Sequence, residues 1–372
     1  MRRGSFVLAV LVLAACATAA LASPPPVEAP AYLVRGGPDG EILAAREPDA
    51  RRAPASITKL MTVLVALERA SLDDVVTVAP QASSVGESSV SLRAGERLTV
   101  RDLAIAALVP SANDAATALA LHVGRGSLSR FVESMNAKAK ALGLTSTHYE
   151  NPHGLDQVGH VSSARDVTTL LTAALREPFI RTWSTRSTAT IAGGRTLTST
   201  DSLIGRLPLV GAKTGHTNDA GWSQVAAVER NGVRITGSLL GAASEQQRNA
   251  ELTALLSWGL AQYARVVVTG DHVYGHAAVG YGLAPVPLVA TSDVVRSVHV
   301  GRPLVERVVV SSALALPVTK GQPVGEVRVL SDGRLIARTP LVAATSIPAV
   351  GVAGKAEWYA RRTMHHLFEL VS

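Results

Sequence analysis

The chain has 372 residues, 47% of them hydrophobic, which is more than one average domain needs and enough for a large core. Its formal net charge is +7, but no run of Lys or Arg concentrates that charge. There is no zinc-finger spacing and no aromatic–basic interleaving, which argues against a nucleic-acid partner and leaves an anionic surface or plain solubility as the reading of the charge.

The first segment, "MRRGSFVLAVLVLAACATAALASPPP", has the layout of an export signal. Arg2 and Arg3 form the charged start, Phe6 to Leu13 the apolar run, and Ala20-Leu21-Ala22 an A-x-A cleavage site. The apolar run is too short for a convincing membrane span. Leu13-Ala14-Ala15-Cys16 also has the form of a lipoprotein processing site, so cleavage at Ala22 and lipidation at Cys16 both stay open. Cys16 is the only cysteine, and cleavage at Ala22 leaves a mature chain without thiol chemistry.

A Pro-rich lead-in, 23–30, precedes two strands, "AYLVR" and "GEILAARE", around the turn "GGPDG". A helix starts at Ser56. Between 101 and 180 the stretches "VRDLAIAAL", "DAATALALHV", "LSRFVESMNAKAKAL" and "ARDVTTLLTAAL" show helical periodicity. A hairpin with Asn231-Gly232 at its turn joins "WSQVAAVE" to "VRITGSLLGA", and "EQQRNAELTALLSWGLAQYA" follows as a helix. The expected architecture is α/β (α+β): an antiparallel sheet flanked by helices, with a helical insert. After Val266 short Val-rich runs alternate with Gly and Pro, as in a small all-β domain with Asp332-Gly333 at a hairpin turn. In the tail, Trp358, Met364, Leu367, Phe368 and Val371 can share one helical face opposite Arg361, Arg362 and His365. Such a helix suits either a membrane surface or the β domain, and with no further domain to cover it the membrane is favoured. The chain thus divides into a signal peptide (1–22), a linker (23–30), a catalytic domain (31–265), a β domain (266–350) and a tail helix (351–372).

Chemistry concentrates in three places. There are only six lysines among 36 basic residues, so each is worth a question, because Lys alone of the two can lose its proton on burial. In "ASITKLMT", Ser56 and Lys59 are neighbours on one helical face, followed by an almost wholly apolar run. A buried lysine has a lowered pKa and can take the serine proton. The same pair alone also fits a helix cap with an exposed Lys. In "LVPSANDAA", Ser111 and Asn113 lie two apart in a break at Pro110, and extended backbone there would face them the same way. In "VGAKTGHTNDAGW", Lys213 and Thr214 can hold a carboxylate, and Gly215 can let a substrate backbone lie along the strand edge.

S-x-x-K, S-x-N and K-T-G in this order are the signature of serine penicillin-binding proteins and related β-lactamases. The chain resembles the low-molecular-mass penicillin-binding proteins of the D-alanyl-D-alanine carboxypeptidase type, peptidase family S11. "PASITKLMT", "ENPHGLD", "KTGHTNDAG" and "PVTKGQPVGEVRVLSDGRLIARTPLVA" also look like family stretches. The resemblance implies a penicillin-binding-protein/β-lactamase-like transpeptidase fold plus a small C-terminal β domain. It implies Ser56 as the acylated nucleophile, Lys59 as its base and Ser111 as a proton shuttle. Asn113 would bind the substrate peptide, Lys213 and Thr214 its terminal carboxylate, and the N–H groups of Ser56 and His216 the oxyanion. Peptidoglycan pentapeptide stems would be the substrate and β-lactams covalent inhibitors, with no cofactor and no metal. The tail is similar to the family's membrane anchor. Two departures concern the substrate site: "LPLVGAKTG" lacks the usual acidic residue before K-T-G, and Asp201 stands where asparagine is common. A class A β-lactamase is the nearest rival, but its E-x-x-x-N spacing occurs only at Glu245 to Asn249, after Lys213. A D,D-endopeptidase and a non-catalytic peptidoglycan-binding relative are the others.

Overall fold

A computed structural model of the chain describes residues 5–8, 23–37, 40–311 and 313–369. The described residues fall into two units, one within 23–262 and one within 263–369 together with 5–8.

The larger unit is built on a five-stranded antiparallel sheet. Its strands are β1 (Ala31–Gly36), β2 (Glu41–Arg46), β3 (Leu209–Thr217), β4 (Gly221–Arg230) and β5 (Val233–Ala242), in the order β2-β1-β5-β4-β3. The β4–β5 turn is Asn231-Gly232 with both residues at positive φ, as an Asn-Gly hairpin requires. Strand β3 carries the K-T-G residues and is an edge of the sheet.

Helix α1 (Thr58–Arg69) answers why a lysine stands at the head of an apolar run. Thr58 to Ala66 are all buried, Lys59 included. A helix apolar on every side belongs inside a domain, and α1 is surrounded by α2 (Val100–Leu108), α3 (Asn113–Val123), α4 (Leu128–Ala141) and α5 (Ala164–Ala174). Thr99 and Asp102 form a reciprocal capping box at the start of α2, a device that contributes about 1 kcal/mol. Helix α6 (Glu245–Ala261) packs on the sheet, where Gly237 and Gly259 leave room for Leu256 and Ile235. The helix expected to run through "QYA" ends at Ala261, and a strand begins at Tyr263.

The smaller unit is all-β until its last element. Seven strands form its main sheet, with 323–331 and 334–343 joined through Asp332-Gly333. Ser5–Leu8, inside the stretch with the layout of an export signal, pairs as an edge strand with Leu304–Ser311. Ala20-Leu21-Ala22 and Cys16 lie outside the described residues. Helix α7 (Val352–Glu369) ends the described chain. Its Trp358 meets the Tyr281 ring edge-on at 5.5 Å and lies against Gly282, so part of the face expected to lack a partner has one. Met364 remains largely exposed, and Val371 lies outside the described residues. No described helix is long and apolar enough to cross a membrane.

Candidate active site

Ser56 sits on a tight 3₁₀ turn, Ala55–Ile57, that feeds α1. Three residues per turn still bring residue i+3 above residue i, and Lys59 Nζ lies 2.7 Å from Ser56 Oγ. Lys59 is fully buried and donates to the His153 carbonyl at 2.8 Å. Burial, reinforced by the positive charge of Lys213, holds its pKa well below the usual lysine value. Burial of this kind favours the uncharged amine.

The turn is held in a demanding backbone conformation. Ala55 has φ +48°. Gly154, at φ +91°, presses on it so closely that a Cβ there would lie 1.9 Å from the Ala55 carbonyl oxygen. Gly215 approaches from β3, where a Cβ would come within 3.0 Å of Ala55 Cβ and the Pro54 carbonyl. The missing side chain at Gly215 therefore makes room for the protein's own Ser56 turn, not only for a substrate. Strain of this kind gathers at functional sites.

The break after Pro110 is not extended, contrary to expectation. Ser111 adopts φ +66°, and Asn113 is already the first residue of α3. The left-handed turn aims Ser111 Oγ at Lys213 Nζ, 2.8 Å away. Asn113 is buried and donates from Nδ2 to the Gly86 carbonyl at 3.0 Å, while its Oδ1 has no partner. Lys213 is buried too, and burial pushes its pKa down to about 7 against the pull of Asp201, with Arg248 pushing further the same way. Thr214 Oγ1 is 2.7 Å from Thr200 Oγ1. His216 is exposed and its ring stacks on Trp222 at 4.1 Å.

These elements surround a cleft of about 370 Å³ lined by Ser56, Ser88, Ser111, Thr200, Thr214, Gly215, His216, Trp222, Glu245 and Arg248. Ser56, Ser111, Thr214, Gly215 and His216 line it directly, whereas Lys59 and Lys213 reach it through the two serine hydroxyls. Asn113 stands behind the wall with its free amide oxygen.

Arg248 is a site residue that the sequence reading passed over. It is buried, donates to Glu245 Oε1 (3.1 Å) and Asn249 Oδ1 (2.8 Å), and lies 5.6 Å from the Trp222 ring centre. The only E-x-x-x-N spacing in the chain thus clamps an arginine. Its place on an ordinary-looking helix gave no signal, and a chain that uses Arg for plain charge hides the exception. Asp201 is the complement of this basic pocket. It is buried, accepts from the Leu203 N–H and from Gln224 Nε2 at 2.9 Å each, and its charge opposes the loss of a proton from both Lys213 and Arg248. The position that departs from the familiar asparagine therefore supplies a carboxylate beside the two cations.

A family model described as D-alanyl-D-alanine carboxypeptidase matches residues 18–244, and one described as the C-terminal domain of penicillin-binding protein 5 matches residues 262–349. A D-alanyl-D-alanine carboxypeptidase, DacD, of Salmonella typhimurium is 32% identical over 93% of this chain and 93% of its own length. A D-alanyl-D-alanine endopeptidase of Pseudomonas aeruginosa is 36% identical over 65% of this chain and 83% of its own. The crystal structure of penicillin-binding protein 5 from Haemophilus influenzae superposes with a TM-score of 0.64 and 29% identity, covering 88% of this chain and all of that one. With a family model spanning more than half of its residues and a relative matched almost end to end, the chain belongs to the D-alanyl-D-alanine carboxypeptidases of peptidase family S11.

Proposed function

We propose that this chain removes the terminal D-alanine from peptidoglycan stem peptides through an acyl-enzyme on Ser56, and that β-lactams trap the same serine. The observation that carries the reading is the 2.7 Å contact between the Ser56 hydroxyl and a fully buried lysine whose pKa is held well below the usual lysine value. Ser56 Oγ attacks the carbonyl of the penultimate D-alanine while its proton passes to Lys59 Nζ. The N–H groups of Ser56 and His216 receive the oxyanion. The C–N bond then breaks, and the amine of the departing D-alanine takes a proton relayed through Ser111. Water attacks the ester, which releases the shortened peptide and restores Ser56. The unpartnered Oδ1 of Asn113, just behind the cleft wall, is the group available to the substrate amide.

Lys213 and Thr214 read the terminal carboxylate, with Arg248 beside them as a third donor. A site of two buried cations is arranged for an anion, which favours a carboxypeptidase over an enzyme acting only within crosslinks. Lys213→Ala should lose most activity on a peptide ending in a free carboxylate, and should affect an amidated peptide less. Lys213→Arg should keep part of it, because the charge stays while the geometry changes. The groups facing Lys213 are Asp201, Arg248 and Lys59. Since its pKa lies at about 7, the cation needed for binding is present below pH 7 and is lost as pH rises through that value. The kcat/KM of the free enzyme for the carboxylate substrate should fall along that limb, and the amidated substrate should not show it. Equal slowing of both substrates by Lys213→Ala, or a shared limb, would remove the carboxylate role and leave an endopeptidase.

The Arg2-Arg3 start and the following apolar run support export to the cell envelope. The exposed Met364 and the basic residues Arg361 and Arg362 support contact of the tail with the outer face of the cytoplasmic membrane. A chain lacking residues 352–372 should shift from the membrane to the soluble fraction, and an unchanged distribution would dismiss that contact.

A further inference from the structure

Beyond the cleft, on the far side of the stacked His216 and Trp222, lies a second pocket of about 380 Å³. The same two side chains line both spaces, so the pocket continues the cleft. Its other walls are Arg52, the turn 217–221 and residues 241–243. The turn is anchored: Thr217 Oγ1 donates to Asp156 Oδ1 at 2.5 Å, and the Asp219 N–H to Asp156 Oδ2 at 3.2 Å.

Arg52 is the unusual member. Its backbone is fixed by paired 2.8 Å hydrogen bonds with Ser162. Its side chain is only partly exposed, its Nε is buried without a hydrogen-bond partner, and no carboxylate pairs with it among the described residues. Gly241, at φ +84°, leaves the space that the guanidinium fills, since a Cβ there would lie 2.8 Å from Arg52 Nη2. A partly exposed guanidinium that lines a polar pocket, with no carboxylate against it among the described residues, is a site for an anion.

The direction of the substrate says which anion. In the acyl-serine reading, on which this inference rests, the terminal carboxylate lies level with Lys213 and Thr214 and the scissile carbonyl level with His216. Moving upstream along the peptide therefore leads along edge strand β3 toward Thr217 and Asn218. At about 3.3 Å per extended residue, the residue before D-Ala-D-Ala comes level with the second pocket.

We propose that the Arg52 pocket is a subsite for a free carboxylate on the side chain of the stem-peptide residue that precedes D-Ala-D-Ala. A diamino dicarboxylic acid at that place carries such a carboxylate beside an ammonium, and exposed Asp219 at the rim suits the ammonium. A stem with lysine there lacks the carboxylate.

The experiment compares kcat/KM for two synthetic pentapeptides that differ only at this residue, lysine against the diamino dicarboxylic acid. It uses wild type, Arg52→Gln and Arg52→Lys, and reads the rate of penicillin acylation in each. Wild type should prefer the carboxylate peptide by about tenfold, the size expected of one charge-assisted hydrogen bond. Arg52→Gln should erase the preference by slowing only that peptide, with penicillin acylation and the lysine peptide unchanged, and Arg52→Lys should keep part of it. Absence of a preference in wild type, its survival in Arg52→Gln, or an equal loss on both peptides and on penicillin would overturn the subsite. Failure of wild type to be acylated by penicillin at all would instead overturn the underlying acyl-serine reading.

Discussion

Ser56→Ala should abolish covalent capture of labelled penicillin, which in the wild type gives one adduct on the peptide containing Ser56. The effect is expected to be all-or-none, because no other hydroxyl lining the cleft is paired with Lys59. Ser111 Oγ is 2.8 Å from Lys213 Nζ, but that lysine is the one assigned to the substrate carboxylate. Stability should change little on this substitution. Ser56 is half-buried on a turn whose shape is set by Ala55, Gly154 and Gly215, and alanine removes one hydroxyl from it. Tryptic mass spectrometry of both proteins after incubation with penicillin checks the result. An adduct that persists in Ser56→Ala would place the nucleophile elsewhere.

Lys59→Arg should slow acylation by ~10²–10⁴, the usual cost of losing a general base. Arginine keeps a positive charge but offers no neutral nitrogen to take the Ser56 proton. It also has to fit where Lys59 has no exposure and already donates to the His153 carbonyl, so the melting temperature has to be followed alongside the rate. A variant that melts near wild type and acylates slowly isolates the chemical role. One that melts near wild type and acylates at a near-normal rate would make Lys59 a structural or electrostatic feature only.

How far the site could be read from sequence follows from how local each relation is. Ser56 and Lys59 are three residues apart, and any tight helical turn brings them together, so spacing alone exposed the pair. The hairpin around Asn231-Gly232 and the apolar helix after Thr58 were legible for the same reason. Ser111 with Lys213 is a different matter. Their 2.8 Å contact joins residues 102 apart in the chain, and the expected extended backbone at Ser111 is in fact left-handed. Composition cannot reveal such a turn at a non-glycine residue. Gly215 was legible as a close approach, but the approaching partner is the backbone around Ala55. Arg248 and Asp201 were illegible as a set, since buried opposite charges from a helix and a loop are brought together only by tertiary packing. Docking of the tail on the β domain was one of its two readings, but the ring that meets Trp358, Tyr281, is set by tertiary packing alone.

The most direct test of the central claim is the mass of a synthetic pentapeptide ending in D-Ala-D-Ala, followed over time with the wild-type protein. The account predicts loss of a single C-terminal D-alanine, a ladder that stops at the tetrapeptide, and no loss with Ser56→Ala. A pentapeptide that remains intact with the wild type, or one cut at any other bond, would contradict it.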